Sequence, residues 1–85
     1  MKLYGKTQAQ VDAKRLEQLS DSVRSERDRR IEAIQWRRDR HRDELSLGLA
    51  PTEELAPILT YIQALRDVPQ QADFPTNIQW PEVPE

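Results

Sequence analysis

Residues 61–71 read YIQALRDVPQQ and are followed by FP at 74–75 and WP at 80–81. The first part of this stretch has the apolar spacing of a helix, and Pro69 disfavours helical geometry in the residue before it, so we predict a helix that ends near Asp67. The segment after that helix places a Phe, an Ile and a Trp within seven residues, between prolines. A segment this short cannot form a core of its own. Its apolar side chains are therefore expected to pack on a surface that is already folded.

The length and composition of the chain allow one small domain. It has 85 residues, of which 36% are hydrophobic and 33% charged, and it contains no Cys, so neither disulfides nor thiolate metal sites can compensate for a small core. Such a chain is expected to gain stability from self-association or from a partner. It contains no apolar run of membrane-spanning length, and residues 1–6 lack the apolar core of a signal peptide, which predicts a soluble protein made in the cytoplasm.

The first half of the chain predicts one long helix. All six prolines follow residue 50, and Gly5 and Gly48 bracket a stretch without a helix breaker. Thr7 and Gln10 have the spacing of a capping box, and Gly48 suits the left-handed residue that closes a helix. We therefore predict a long amphipathic helix within residues 1–48, about forty residues and ~60 Å long. Its apolar positions fall on one face roughly 120° wide: Ala9, Ala13, Leu16, Leu19, Val23, Ile31, Ile34 and Leu45.

This face is periodic but interrupted. Val23, Ile34 and Leu45 repeat every eleven residues, a period that favours a straight or slightly right-handed association over a leucine-zipper coiled coil. Polar side chains break the face at four positions: Arg27, Arg30, Arg38 and His41. The two ends of the face are therefore expected to pack better than its middle.

Residues 49–68 are predicted to form a turn and a second helix. Thr52 is the expected N-cap, and Pro57 either starts the regular helix or kinks its first turn. The apolar positions follow helical spacing: Leu55, Ile58, Leu59, Ile62 and Leu65. A short turn makes the two helices antiparallel neighbours, and the proline-rich residues 69–85 are predicted to be an extended tail. The predicted fold is an all-α helical hairpin with a long first helix, a short second helix and an extended aromatic tail.

Charge is unevenly distributed. Residues 1–50 carry 12 Lys and Arg and 9 Asp and Glu, a net charge of +3, whereas residues 51–85 carry 1 and 6, a net charge of −5. This suits packing of one half on the other, or contacts between copies. Residues 24–42 contain eight arginines and four acids. Three interpretations stay open: a phosphate-binding helix, a solvated face with internal ion pairs, and arginines that face carboxylates of a partner. The interleaved acids argue against nucleic acid.

Catalytic, metal and cofactor sites are not indicated. His41 is the only histidine, and no nucleophile or second metal ligand of the usual spacing accompanies it, so it is interpreted as a packing residue. With two glycines in the chain, no Gly-rich phosphate loop is present. We predict a protein that is not an enzyme, with no catalytic residues, no metal and no cofactor.

Trp36 lies on the opposite side of the first helix from Ile34. An apolar side chain on a charged face suggests a second contact surface. Two interpretations stay open: the chain's own tail folds back and covers Trp36, or a partner does.

From Arg27 to the C-terminus, the chain resembles the phage tail assembly chaperones, also called tail fibre assembly proteins. The matching features are RD at 27–28, Trp36, YIQALRD at 61–67, PQQ at 69–71, FP at 74–75, Ile78, WP at 80–81 and Pro84. Residues 1–25 lie outside the recognisable part. The resemblance implies a protein without catalytic activity that binds tail or tail-fibre proteins and helps them fold, trimerise or assemble, in the host cytoplasm during phage assembly.

The predicted partner-binding residues combine the apolar stripe, the arginines and the aromatic tail: Leu16, Leu19, Val23, Arg27, Arg30, Trp36, Tyr61, Leu65, Arg66, Phe74, Ile78 and Trp80. The predicted partner is a phage tail or tail-fibre protein, with self-association through the first helix as a further possibility and no membrane. Two other functions stay open. The first is a permanent structural subunit of the virion tail, fibre or baseplate, and the second, less favoured, is an Arg-rich nucleic-acid-binding helix.

Overall fold

A computed structural model describes residues 7–85 of the chain. This range contains two α-helices, α1 (Gln8–Ser46) and α2 (Leu55–Arg66), a short 3₁₀ helix (Val68–Gln70) and no strand. The predicted all-α hairpin, with a long first helix and a short second one, is confirmed. Gly5 and the rest of residues 1–6, which were predicted to lack a signal peptide, lie outside the described residues.

The N-terminus of α1 is closed by the predicted capping box. The hydroxyl oxygen of Thr7 accepts a hydrogen bond from the backbone N–H of Gln10, at 3.1 Å. In return, the backbone N–H of Thr7 donates to Oε1 of Gln10, at 2.9 Å. These two bonds satisfy two N–H groups that have no partner within the helix, so they define where α1 begins.

The C-terminus of α1 is closed by Gly48, which follows the C-cap residue Leu47 and has a φ of +76°. Gly48 donates its backbone N–H to the carbonyl of Leu45, and Leu49 donates to the carbonyl of Glu44, at 3.0 and 2.8 Å. This is the pair of bonds of a Schellman motif. The Glu44 carboxylate also accepts a hydrogen bond from the backbone N–H of Thr52, at 2.9 Å, and a second from its hydroxyl, which ties the turn to α1.

The predicted N-cap of the second helix is wrong. The structure places Glu54 at the N-cap and Leu55 at the first helical position, while Thr52 binds Glu44 instead. Pro57 explains the difference, because it has no N–H to donate. With Thr52 as the N-cap, Pro57 would be the fifth residue of the helix, whose N–H normally donates to a carbonyl within the helix. Because the helix starts at Leu55, Pro57 is its third residue, whose N–H has no partner within the helix.

The core lies between α2 and the middle of α1. Ile34 of α1 packs among buried residues of α2, with Ile31 and the tail residue Trp80 against the cluster. The buried side chains are Ile34, Ile58, Tyr61, Ile62, Leu65 and Val68. Six positions of the predicted apolar faces are exposed instead: Ala9, Ala13, Leu16, Leu19, Leu45 and Leu59. The expectation that the ends of the α1 face pack better than its middle is therefore wrong, because α2 and the tail cover only the part around Ile34. Tyr61 takes the place expected of Leu59, because the buried face of α2 is centred on positions 58, 61, 62 and 65.

The tail is folded in its first part and irregular in its second. Turns occupy residues 71–77, and regular secondary structure is absent from Ile78 to the last described residue. The carbonyl of Asp73 accepts hydrogen bonds from the backbone N–H groups of Thr76 and Asn77, at 2.8 and 3.1 Å. The prediction of extended chain therefore fails over 69–77, because these local bonds reverse the chain direction.

The molecule is elongated, with extents of 74 × 21 × 15 Å. The 39 residues of α1 give a rod of about 58 Å, whereas the 12 residues of α2 cover only about 18 Å of it. Every residue from 7 to 19 is exposed. We call residues 8–23 the arm, because this part of α1 extends beyond the hairpin.

Candidate partner-binding surfaces

The C-terminal tail packs on the chain's own helices. Three arginines of α1 mark its path, each in contact with one tail residue: Arg24 with Phe74, Arg30 with Trp80 and Arg37 with Pro84. The amide side chain of Gln71 holds the return of the tail by pairing with the backbone of Gln79 in both directions, at 2.8 and 2.9 Å. The tail thus runs antiparallel to α2 and forms the third layer of the hairpin.

This packing assigns several of the predicted binding residues to the fold. Tyr61 and Leu65 are buried in the core, and the tail residues Phe74, Ile78 and Trp80 are half-buried. These side chains pack within the protein itself, and their role in partner binding stays a prediction. Arg66 is exposed in the last turn of α2, where a cation favours the negative end of the helix.

Glu53 joins the turn, α1 and the end of the tail. Its carboxylate accepts hydrogen bonds from Nε of Arg37, at 2.8 Å, and from Nη2 of Arg40, at 2.7 Å. Arg37 also donates from Nη1 to the carbonyl of Pro84, at 2.7 Å. Hydrogen bonding to Arg37 holds the pKa of Glu53 below its usual value, and the same bonds raise the pKa of Arg37. Both groups are therefore charged at neutral pH, and they form a clamp across three segments.

Sequence reasoning missed this clamp. Arg37 was recognised only as part of the arginine run of residues 24–42, and no partner beyond the turn was assigned to it. The pairing of Arg37 with Glu53 depends on how far the second helix is shifted along the first. The hydrophobic pattern predicts that position only to within one helical turn. The available signal was charge: Glu53 is the first acid after the turn and lies opposite the basic part of α1.

Most of the arginine run is paired within the chain. Of the eight arginines in residues 24–42, six lie within ion-pair distance of a carboxylate: Arg27, Arg29, Arg30, Arg37, Arg40 and Arg42. Glu26 accepts from both Arg29 and Arg30, at 2.6 and 2.7 Å, and these two hydrogen bonds, that of Arg29 first, lower its pKa. This arrangement favours internal ion pairs over a row of arginines facing phosphates.

The first exposed surface is the arm stripe, formed by Leu16, Leu19 and Val23. Leu16 and Leu19 are 45% and 37% exposed, and Val23 is half-buried where the arm joins the hairpin. Leu16 precedes Ile34 by eighteen residues, which is five full turns, so both side chains lie on one line along α1. The arm stripe is thus the continuation of the face that α2 and the tail cover further along the helix.

The second exposed surface is the Trp36 groove, a depression of about 420 Å³ between α1 and the end of the tail. Its apolar walls are Ala33, Ile34, Trp36, Tyr61 and Val83, and its charged rim is Glu26, Arg29, Arg30 and Arg37. Trp36 is 58% exposed and Val83 56% exposed. The tail therefore folds back, as one interpretation expected, but it passes beside Trp36 without covering it.

The described residues contain neither a metal-binding cluster nor a membrane-spanning helix. Across residues 7–85, His, Cys, Asp and Glu form no group of three or more that could hold a metal ion. In the same range, neither helix combines the length and the hydropathy needed to cross a bilayer.

Comparison with known proteins gives one match. The family model described as phage tail assembly chaperone protein matches residues 20–85, which are most of the chain and include the hairpin, the tail and the base of the arm. Comparisons with curated proteins and with solved structures gave no match.

Proposed function

Because the chain belongs to the phage tail assembly chaperone family, we propose that it binds a tail or tail-fibre protein directly and assists its folding or assembly without catalysing a reaction. The proposed place of action is the host cytoplasm while tails are being built. The proposal is supported by the family and by surfaces suited to protein contact.

The observation that carries the proposal is the uncovered arm stripe. A helix with one apolar face is stable in water when another element covers that face. The hairpin covers the face around Ile34 but not around Leu16 and Leu19. Full burial of a Leu or Val side chain stabilises an association by roughly 1.5–3 kcal/mol, so the stripe is worth a few kcal/mol to an occupant that covers it.

The proposed occupant is an amphipathic helix of the tail protein. The arm offers a straight row of side chains at i, i+3 and i+7, the spacing by which one helix packs along another. The hairpin holds the base of the arm in place, so binding orders few groups of the chaperone. The client would thereby keep an apolar face covered until its final partner in the tail replaces the arm.

A second copy of the chain is the other possible occupant of the arm stripe. A second copy could place its own arm stripe against the first, in a short coiled-coil-like contact. The arm is about 24 Å long, which is little for a stable dimer interface. We therefore propose that copies associate only weakly, and that the client displaces them.

The experiment is co-expression of tail proteins with wild-type chain or with the double variant Leu16→Ser and Leu19→Ser. The wild type should be recovered with a tail protein and raise its soluble yield, and the variant should lose both effects. The matched control is Leu47→Ser with Leu49→Ser, which removes exposed leucines at the hairpin turn instead. Equal recovery with the arm variant would contradict the role of the stripe.

Purified particles separate the chaperone from a structural subunit. A chaperone should be depleted from finished virions relative to the lysate, whereas a subunit of the tail, fibre or baseplate should be present in a fixed ratio to the other tail proteins. Stoichiometric presence in virions would replace the proposed function by the structural one.

A further inference from the structure

We propose that the Trp36 groove is a second binding site, which takes a peptide segment carrying a large apolar side chain flanked by acidic residues. It is separate from the arm stripe in position and in chemistry.

The exposure of its walls shows that no side chain of residues 7–85 fills the groove. Trp36 and Val83 are both more than half exposed, and they come from segments 47 residues apart in sequence that the fold brings to one depression. The tail supplies one wall of the groove rather than its contents. An exposed Trp beside an exposed Val, over a floor that includes Tyr61, is the kind of aromatic-lined concavity that anchors a single large side chain.

Rigidity makes the groove ready to bind. The Arg40 guanidinium carbon lies 4.9 Å from the centre of the Trp36 ring and covers one face of it. Arg40 is itself held by Glu53, at 2.7 Å. On the other wall, Val83 precedes Pro84, whose carbonyl accepts from Arg37. Both walls are thus fixed by the same clamp, so little side-chain freedom is lost on binding.

Charge selects the occupant. The groove is lined by three guanidinium groups, of Arg29, Arg30 and Arg37, and by one carboxylate, of Glu26, which leaves a local charge of +2 in a chain whose net charge is −2. Arg29 is the most accessible, with its side chain 72% exposed. Exposed ion pairs contribute little, so an incoming carboxylate can take the place of Glu26 on Arg29 at small cost.

A peptide fits these features better than nucleic acid does. The groove is a depression with apolar walls, about the size that holds a few side chains. A nucleic acid would need a longer run of cations without interleaved acids, and Glu26 lies on the rim.

The test uses short fluorescein-labelled peptides with Glu-Leu-Phe-Glu, Lys-Leu-Phe-Lys or Glu-Ala-Ala-Glu at their centre, and fluorescence anisotropy as the measure of binding. The first peptide should bind the wild type, and the other two should bind at least about tenfold more weakly. Trp36→Ala should weaken the first peptide by about tenfold or more, as expected for loss of one buried aromatic anchor. The matched control Leu59→Ser alters an apolar residue of similar exposure outside the groove and should change nothing.

Two further variants keep the test decisive. Arg29→Glu, at an exposed position that cannot disturb the core, should weaken the Glu-containing peptide and strengthen the Lys-containing one. Leu16→Ser with Leu19→Ser should leave peptide binding intact while it removes client recovery, so failure of either proposal is distinguishable from failure of the other.

Four results would overturn the inference. They are unchanged binding by Trp36→Ala, equal binding of the acidic and basic peptides, tighter binding of oligothymidine than of any peptide, and protection of Trp36 from a fluorescence quencher on raising protein concentration alone. The third would identify the groove as a nucleic-acid site, and the fourth would assign it to a second copy of the chain. The quencher experiment uses Trp80→Phe, in which Trp36 is the only Trp.

Discussion

The guanidinium carbon of Arg30 lies 4.3 Å from the centre of the Trp80 ring, so a charged side chain of α1 packs against the last aromatic residue of the tail. Arg30 is held in that position by Glu26, at 2.7 Å. On its other side, Trp80 packs against the core cluster. The tail is therefore fixed by a cation–π contact and apolar packing together, and its removal should affect the whole hairpin.

Trp80→Ala should destabilise the protein by about 2 kcal/mol or more. The reason is that removal of the large ring leaves a space against the core cluster that the short tail cannot fill. Urea unfolding followed by circular dichroism measures the change. Trp36→Ala is the control, since its exposed ring should matter by no more than about 0.5 kcal/mol. Equal effects of the two substitutions would show that Trp80 is not part of the core.

Gly48→Ala should destabilise the hairpin by about 1–2 kcal/mol. A Cβ at this position would meet nothing within 4 Å, so the whole effect comes from forcing an L-residue into a φ of +76°. Gly48→Asn should be milder, because Asn tolerates the left-handed conformation better. Thermal unfolding compares the three proteins. A Gly48→Ala variant as stable as the wild type would mean that the turn can close without the Schellman motif.

Stability should fall in acid as Glu53, Glu44 and Glu26 become protonated. Hydrogen bonds lower the pKa of each below the usual 4.5, chiefly from Arg37, Thr52 and Arg29, respectively. A lowered folded-state pKa gives stability that is present above pH 4.5 and is lost as the pH falls below 4.5 through the folded value. Melting temperatures between pH 7 and pH 3 test this expectation.

The variant Glu53→Gln isolates the contribution of the clamp. It should be less stable than the wild type at pH 7 and show a smaller loss on acidification. Glu32→Gln, at an exposed position of α1, is the matched control and should follow the wild-type curve. A wild-type profile that stays flat down to pH 3 would contradict the expected role of all three carboxylates.

Leu16→Ser with Leu19→Ser should abolish any association between copies without unfolding the hairpin. In sedimentation velocity, the wild type should show a mass that rises with concentration, because the arm interface is short and therefore weak. The variant should stay monomeric and retain the thermal unfolding of α2 and the tail. A wild type that is monomeric at every concentration would restrict the stripe to binding a client.

Helix ends that depend on local chemistry were predictable from the sequence. The capping box of Thr7 and Gln10 and the closing Gly48 needed only the identity and spacing of a few residues. The failure at Thr52 was avoidable too, since Pro57 restricts where α2 can begin. Thr52 has the residue type of an N-cap, but Pro57, five residues further on, restricts the start of the helix more strongly.

Features that join distant segments were not predictable in the same way. The sequence indicated that the tail must pack on a folded surface, but not that it would pass Trp36 and reach Arg37 through the carbonyl of Pro84. Val83 carried no signal at all before the fold placed it beside Trp36. Such contacts depend on the turns at 71–77, whose hydrogen bonds set the direction in which the tail returns.

The arm has a further consequence for how α1 holds its shape. A separate peptide of sixteen residues would be only marginally helical, since the first turn is formed with a probability factor of about 10⁻³. In the intact protein the arm continues a helix whose turns are already formed in the hairpin, so the unfavourable first step is not needed. Helix formation in the arm is therefore expected to extend from Val23 toward Thr7, and a protein that binds Leu19 and Leu16 stabilises turns of a helix that already exists. The capping box at Thr7 acts at the far end of the same process, where it opposes unwinding from the tip.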